Sequence, residues 1–217
     1  NTSLNVDTVE MNNYSAGAII AHYMIGLGHK HIAYISTTLN EANSARVRRL
    51  EGVRDTYRDE CPEGSVIVRS REVTPKEERD NISIEHAVGF ELTRKCLGEG
   101  RITAFVAVND MVAYGVLDAI LESGARVPED YSLCGFDNIY PSHFSRVGLT
   151  TVEHHIAEKG RSALEMLHNR ITSGPGCSIT RVEVMPELVV RSSTGPAPVQ
   201  RQAGGPLGRP QDEDEGR

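Results

Sequence analysis

Tryptophan is absent and aromatic residues fill only 5% of the 217 positions. A flat stacking platform for a planar base or a pyranose ring is therefore scarce. No apolar run approaches the roughly 20 residues that a bilayer-crossing helix needs, so no membrane association is expected. Leader-like chemistry is missing as well: the chain opens at Asn1 with neither an initiator Met nor a basic-then-apolar stretch, so no secretory signal is visible. The four cysteines, Cys61, Cys96, Cys134 and Cys177, form no C-x-x-C pair. That spacing fits reduced thiols in a cytoplasmic protein better than a disulfide framework or a zinc site.

An excess of positive charge is also lacking. Lys and Arg total 23 against 30 for Asp and Glu, a net charge of −7. Grip on nucleic-acid phosphates requires a basic face, because neutralised phosphates and released counterions supply most of the affinity. Any DNA contact made by a protein containing this chain is expected outside it. Catalytic signatures are missing too: there is no nucleophile elbow and no glycine-rich phosphate loop. Gly26 and Gly28 follow a helical pattern rather than a strand, so they are not a dinucleotide fingerprint. His29 and His31 stand two apart and His154 and His155 are adjacent, but no carboxylate or thiolate sits at a supporting spacing. They are read as ordinary histidines; no metal, cofactor or catalytic residue is expected, and the chain is not read as an enzyme.

What is present is an alternation of helix and strand, with 39% hydrophobic residues to build a core. Asn12 or Asn13 can cap a helix that Gly28 stops. A buried strand at 31–36 follows, then a helix at about 41–58 and an alternating strand at 65–73. An amphipathic helix at 85–97, an apolar strand at 102–108 and a helix at 111–121 capped by Asp110 come next. A strand at 132–136, a helix at 156–171 and one long strand at 182–190 complete the pattern. Strands separated by helices imply parallel crossovers, hence an α/β, doubly wound parallel sheet. From Gly195 onward Gly, Pro, Gln and charge replace large apolar residues, and residues 195–217 are expected to be a disordered tail.

In such sheets ligands bind beyond the carboxyl ends of the strands. Two short segments there carry polar groups. In Val108-Asn109-Asp110 the cap needs only one residue; Asp110 suits that role and leaves Asn109 to present its amide. In Gly135-Phe136-Asp137-Asn138 the plain reading is a strand end with an Asx turn. The functional reading sets the Asp137 carboxylate at the mouth, accepting hydrogen bonds from ligand hydroxyls or amines. Arg49, with five fixed donors, is the natural partner for an opposite wall. Taken alone it is a surface helix arginine beside Arg46 and Arg48, and that cluster is weak support for a nucleic-acid patch.

Seven segments in order closely resemble the LacI/GalR family of bacterial transcriptional regulators. They are residues 28–35 (Gly-His-Lys-His-Ile-Ala-Tyr-Ile), 49–53 (Arg-Leu-Glu-Gly-Val), 104–110 (Ala-Phe-Val-Ala-Val-Asn-Asp) and 124–132 (Gly-Ala-Arg-Val-Pro-Glu-Asp-Tyr-Ser). The others are 135–138 (Gly-Phe-Asp-Asn), 149–152 (Leu-Thr-Thr-Val) and 188–194 (Leu-Val-Val-Arg-Ser-Ser-Thr). The resemblance implies a periplasmic-binding-protein-like (type I) fold with effector held between two lobes. It assigns 1–12 to a remnant of the first lobe and crossover, 13–152 to the second lobe and 153–194 to a returning first-lobe helix and strand.

It also implies that Arg49, Asn109 and Asp137 hold the ligand. Ile84 stands where relatives stack an aromatic on it, and Asn12-Asn13 stands where they carry Asp-Asn. Phe136, Tyr140 and Phe144 are candidates for a substitute wall, though core packing explains Phe136 equally well. The expected function is the effector domain of a cytoplasmic regulator, a repressor sensing a sugar or related polar metabolite. It would act as a homodimer and meet operator DNA through an N-terminal helix-turn-helix outside this chain. An extracytoplasmic solute-binding protein of a transporter is the alternative.

Overall fold

The computed structural model describes residues 6–99, 101–143, 147–173 and 178–198. Strand β1 (Thr8–Met11) leads into helix α1 (Asn13–Gly26), whose first turn is capped by the Asn12 side chain accepting from the Ser15 amide. Gly28, at φ +87°, ends the helical region as a left-handed residue with no Cβ penalty. The chain continues through β2 (His31–Ser36), a short 3-10 turn (Glu41–Asn43), α2 (Ser44–Glu60) and β3 (Ser65–Ser70). Then come α3 (Pro75–Asp80), α4 (Ile84–Cys96), β4 (Ala104–Ala107), α5 (Asp110–Glu122) and β5 (Ser132–Cys134). A 3-10 turn (Tyr140–His143), β6 (Thr151–Glu153), α6 (Ile156–Ser173), β7 (Arg181–Val184) and β8 (Glu187–Val189) follow.

Four strands pair in parallel in the order β3-β2-β4-β5. Right-handed crossovers then place α2 on one face and α4 and α5 on the other, which makes the sheet doubly wound. Ile32, Tyr34, Phe105, Val106, Leu133 and Phe136 are fully buried within it. The order reverses between β2 and β4, so the chain leaves these two neighbours in opposite directions. A crevice opens there at their carboxyl ends.

Two smaller pairs flank the sheet. β1 pairs in parallel with β7, and β6 pairs antiparallel with β8. The long strand expected at 182–190 is therefore two strands in different sheets. Pro186, which has no amide to donate to a ladder, lies between them. The disorder expected from Gly195 onward does not hold at its start. The Gly195 amide donates to Ser132 Oγ, its carbonyl lies 3.0 Å from His29 Nε2, and the Ala197 amide donates to the Leu27 carbonyl. Residues 195–198 are thus pinned to the sheet, and the rest of the expected tail lies outside the described residues.

Helices α1 and α2 cross at two glycines. A Cβ on Gly17 would overlap the Arg49 carbonyl oxygen, and one on Gly52 would overlap the Tyr14 carbonyl oxygen. This contact fixes how far Arg49 stands from the first helix. Gly52→Ala must push the helices apart and is expected to cost about 1–3 kcal/mol, read as a fall of several degrees in Tm. Gly26→Ala, with open space around the new methyl, should lose nothing. Equal melting temperatures for the two variants would contradict the close crossing.

Candidate functional site

Arg49 leaves the first half of α2 and reaches over the strand ends, with 8% of its surface exposed. Its Nε donates to Asn13 Oδ1 at 3.0 Å and its Nη1 to the Val108 carbonyl at 2.7 Å. Nη1 also lies 3.5 Å from Asp137 Oδ1, and Nη2 lies 3.1 Å from His154 Nε2. Beneath the guanidinium sits the Phe136 ring, 4.8 Å from centroid to Cζ, a cation–π arrangement. Arg49 therefore ties together the end of β4, the segment after β5, the start of α1 and the segment after β6.

Asp137 is presented by a turn in an uncommon conformation. Its φ is +112° and that of Asn138 is +49°, regions that cost a non-glycine residue about 1–3 kcal/mol. Surrounding bonds hold the turn in place. The Asp137 amide donates to the Val152 carbonyl, Asn138 Nδ2 donates to Glu153 at 2.6 Å, and Arg191 donates to Asn138 Oδ1 at 2.7 Å. The strained turn aims the carboxylate at Arg49 and His154 rather than along the strand.

The two residues after β4 exchange the roles expected of them. Asn109 caps α5, its Oδ1 accepting from the Val112 amide, and its Nδ2 donates to Glu85 Oε1 at 2.8 Å. Asp110 does not cap. Fully buried, it accepts from Thr151 Oγ1, Ser142 Oγ and the Ile139 amide at 2.6–3.0 Å. Glu85 in turn lies 3.4 Å from Arg46, so Asn109 meets the site through an acid and a base on helices from opposite faces of the sheet.

A cleft of about 1000 Å³ opens beside these groups, lined by Asn12, Asn13, Ser44, Arg49, His154, Lys159 and Glu183 among others. Asn12 and Arg49 line it directly, and Asp137 stands behind them at 3.1 Å from His154. Ile84 and Phe136 do not form a wall: both are packed in the hydrophobic core, at 8% and 0% exposure. Phe136 acts on the cleft only through Arg49. Tyr140 is exposed on its 3-10 turn, and Phe144 lies outside the described residues. Asn13 was marked in the sequence together with Asn12, whereas His154, Lys159, Glu85 and Glu183 were not candidates there. Only the adjacent His154-His155 pair stood out there, and as a metal question. Among the described residues no group of three His, Cys, Asp or Glu side chains could hold a metal ion.

Burial sets the protonation of this cluster. It pushes Asp137 up to about 7, outweighing the lowering effect of Arg49, while Asp110 and Glu85 push the same way as burial. His154 is pressed down to about 3, first by burial and then by Arg49 and Lys159. The two act oppositely on folding. From its ordinary 3.8 up to about 7, the folded protein keeps a proton on Asp137 that the unfolded chain has released, so stability from this group falls as pH rises. Between about 3 and 6.5 the unfolded chain binds a proton that His154 refuses, so stability from His154 is lost as pH falls.

Comparisons with known proteins agree with this fold. Residues 21–194 match the periplasmic binding protein-like domain. The chain is 33% identical over 190 residues to an HTH-type transcriptional repressor PurR of Histophilus somni, covering 87% of this chain and 53% of that protein. It thus spans about half the length of the curated relatives it matches. A LacI-family transcriptional regulatory protein from Corynebacterium glutamicum superposes with a TM-score of 0.70 at 28% identity, over 90% of this chain and 69% of the other. A LacI family regulator from Enterococcus faecium with bound ribose superposes with a TM-score of 0.76 at 24% identity, over 90% and 68%. The last shows the fold alone.

Proposed function

Because the chain belongs to the periplasmic binding protein-like family, and within it to effector domains of the LacI/GalR type, we propose that its cleft binds a small polar effector, a sugar or related polyol. We further propose that occupancy controls operator binding by a helix-turn-helix outside this chain, in a cytoplasmic, homodimeric repressor that carries out no catalysis. The observation that carries this reading is the Arg49–Asp137 pair at the switch point of the sheet, 3.5 Å apart, with Arg49 lining the cleft and Asp137 behind it. A guanidinium and a carboxyl at that distance offer donors and an acceptor to adjacent hydroxyls of one ligand. The relatives described above are named regulators rather than transport proteins, which favours this reading over a transporter's solute-binding protein. The net charge of −7 also fits DNA contact elsewhere.

For an effector domain, binding must differ between lobe arrangements if it is to shift them. The simplest test precedes that question. A thermal-shift panel of ribose, hexoses, disaccharides and nucleosides should contain at least one stabilising compound. At a hundred times Kd such a ligand adds about 2.7 kcal/mol, which for a domain of this size is a rise of roughly 5–10 °C. A flat response across sugars, with stabilisation by none, would remove the effector assignment.

A further inference from the structure

Four protein groups hold Arg49, and one of them sets a chemical condition. Nε donates to Asn13 Oδ1, and Nη1 to the Val108 carbonyl at 2.7 Å and to Asp137 Oδ1 at 3.5 Å. Nη2 lies 3.1 Å from His154 Nε2. Arginine has donors only. The imidazole nitrogen on that contact must therefore carry a lone pair, which makes His154 neutral with its hydrogen on Nδ1. Nε2 and Asp137 Oδ1 stand 3.1 Å apart, two acceptors abreast before the two amino groups of one guanidinium. Together they meet the fork as the two oxygens of a carboxylate would. We propose that His154 is a positioning residue for the effector site: by accepting from Nη2 it fixes the orientation in which the Arg49 guanidinium meets the ligand. The inference rests on the effector-binding reading above and deepens it. Of the five N–H groups, one at Nε, two at Nη1 and one at Nη2 are engaged. One Nη2 hydrogen is left without an acceptor among the described residues, so Arg49 offers the effector a single donor, suited to one hydroxyl, ring or carbonyl oxygen.

The surroundings agree with a neutral ring. His154 follows β6 and precedes His155, whose left-handed backbone (φ +48°) leads the chain into α6. The His155 amide donates to Glu153 Oε1 at 2.7 Å and holds that bend. Only 12% of the His154 side chain is exposed, so a charge there would lose most of its solvation. Arg49 from α2, Lys159 from α6 and the adjacent His155 oppose a further positive charge. Glu153 at the end of β6 favours one, as does Asp137 when ionised. A protonated ring would also leave Nη2 without its acceptor and set two cations 3.1 Å apart. Two substitutions separate the acceptor from the bulk of the ring. Glutamine carries an oxygen near the place of Nε2, whereas leucine fills similar space and accepts nothing.

Imidazole nitrogen NMR of the 217-residue chain, with His154 assigned through His154→Gln, should show a neutral ring with hydrogen on Nδ1 at pH 7 and still at pH 5. A ring protonated at pH 5, or neutral with hydrogen on Nε2, overturns the proposal and leaves effector binding untouched. Calorimetry with D-ribose, or with the panel sugar that gives the largest thermal shift, then reads the role. His154→Leu should weaken binding roughly tenfold and His154→Gln by less than about threefold, because only the former loses the hydrogen bond to the guanidinium. In an Arg49→Ala background the leucine substitution should cost nothing more, since a residue that acts through another is not additive with it. Wild-type affinity in His154→Leu overturns the proposal, and so does a glutamine variant as weak as leucine. A leucine penalty that persists in full without Arg49 also overturns it, and places His154 against the effector itself. Sugars that give neither heat nor thermal shift remove the functional reading instead, and the positioning role falls with it.

Discussion

Replacing Arg49 with alanine is expected to weaken effector binding roughly ten- to a hundredfold, because a charge-assisted hydrogen bond is worth about 1.5–3 kcal/mol net. The side chain is nearly buried and touches four polar partners and one ring, so the alanine variant also loses the scaffold of the site. The Val108 carbonyl loses its guanidinium donor, and Asp137 loses the cation that favours its charged form. Arg49→Lys separates these effects. Lysine restores the charge but not the fork, and a point charge cannot reach Asn13, Val108 and His154 together. The lysine variant should melt closer to wild type than the alanine variant does, yet bind nearly as poorly. Calorimetry with the sugar that gives the largest thermal shift checks both. An alanine variant that is folded and binds within twofold of wild type would take Arg49 out of the site.

The sheet was readable in the sequence where burial is continuous. Residues 32–35 and 104–107 are unbroken apolar runs because β2 and β4 are the central strands, covered on both faces. β1 and β6 escaped notice: four and three residues long, they take their partners from distant parts of the chain, and nothing local marks them. Helix α3 had a legible signal that was passed over. Thr74 and Glu77 form a capping box with Pro75 at the first helical position, the pattern expected of a helix start.

The site divides in the same way. Arg49 and Asp137, which the fold brings to 3.5 Å from each other, were legible as a pair because strand ends and family-like segments coincide. Asn109 and Asp110 were assigned in reverse because either side chain can cap a helix. The choice is made by Thr151 and Ser142, whose hydroxyls lie far off in sequence. Ile84, placed at the ligand by resemblance, and Phe136, for which a cleft wall and core packing stood equal, are both drawn into the core by their apolar surface. His154 could not be chosen from sequence, since its role depends on the left-handed His155 and the turn at Asp137 that bring it to Arg49.

Asp110→Ala is expected to cost about 3–5 kcal/mol, a large part of the 5–15 kcal/mol that holds an ordinary domain folded. Its carboxylate accepts from three donors on two segments, Thr151 on β6, and Ser142 and Ile139 on the turn after Asp137. Removing it leaves these donors without an acceptor in a fully buried place, where Gly135 stands close against the Asp110 carboxylate. Asp110→Asn probes the same point more gently. The amide keeps one acceptor oxygen but turns an NH2 toward groups that already donate, so it should lose less than alanine and more than 1 kcal/mol, measured by urea unfolding. Burial also raises the Asp110 pKa against the lowering effect of its three hydrogen bonds. The folded state therefore holds this proton to higher pH than the unfolded chain does, and the stability it contributes is lost as pH rises through the folded value. That slope should be missing from both variants. Because two of the donors to Asp110, Ile139 and Ser142, belong to the segment that follows Asp137, its loss also frees the turn that aims Asp137 at Arg49, and the asparagine variant should bind effector more weakly though it touches no ligand. Wild-type stability in Asp110→Asn, with affinity unchanged, would mean that the turn is held by the Asn138–Glu153 and Arg191–Asn138 bonds alone.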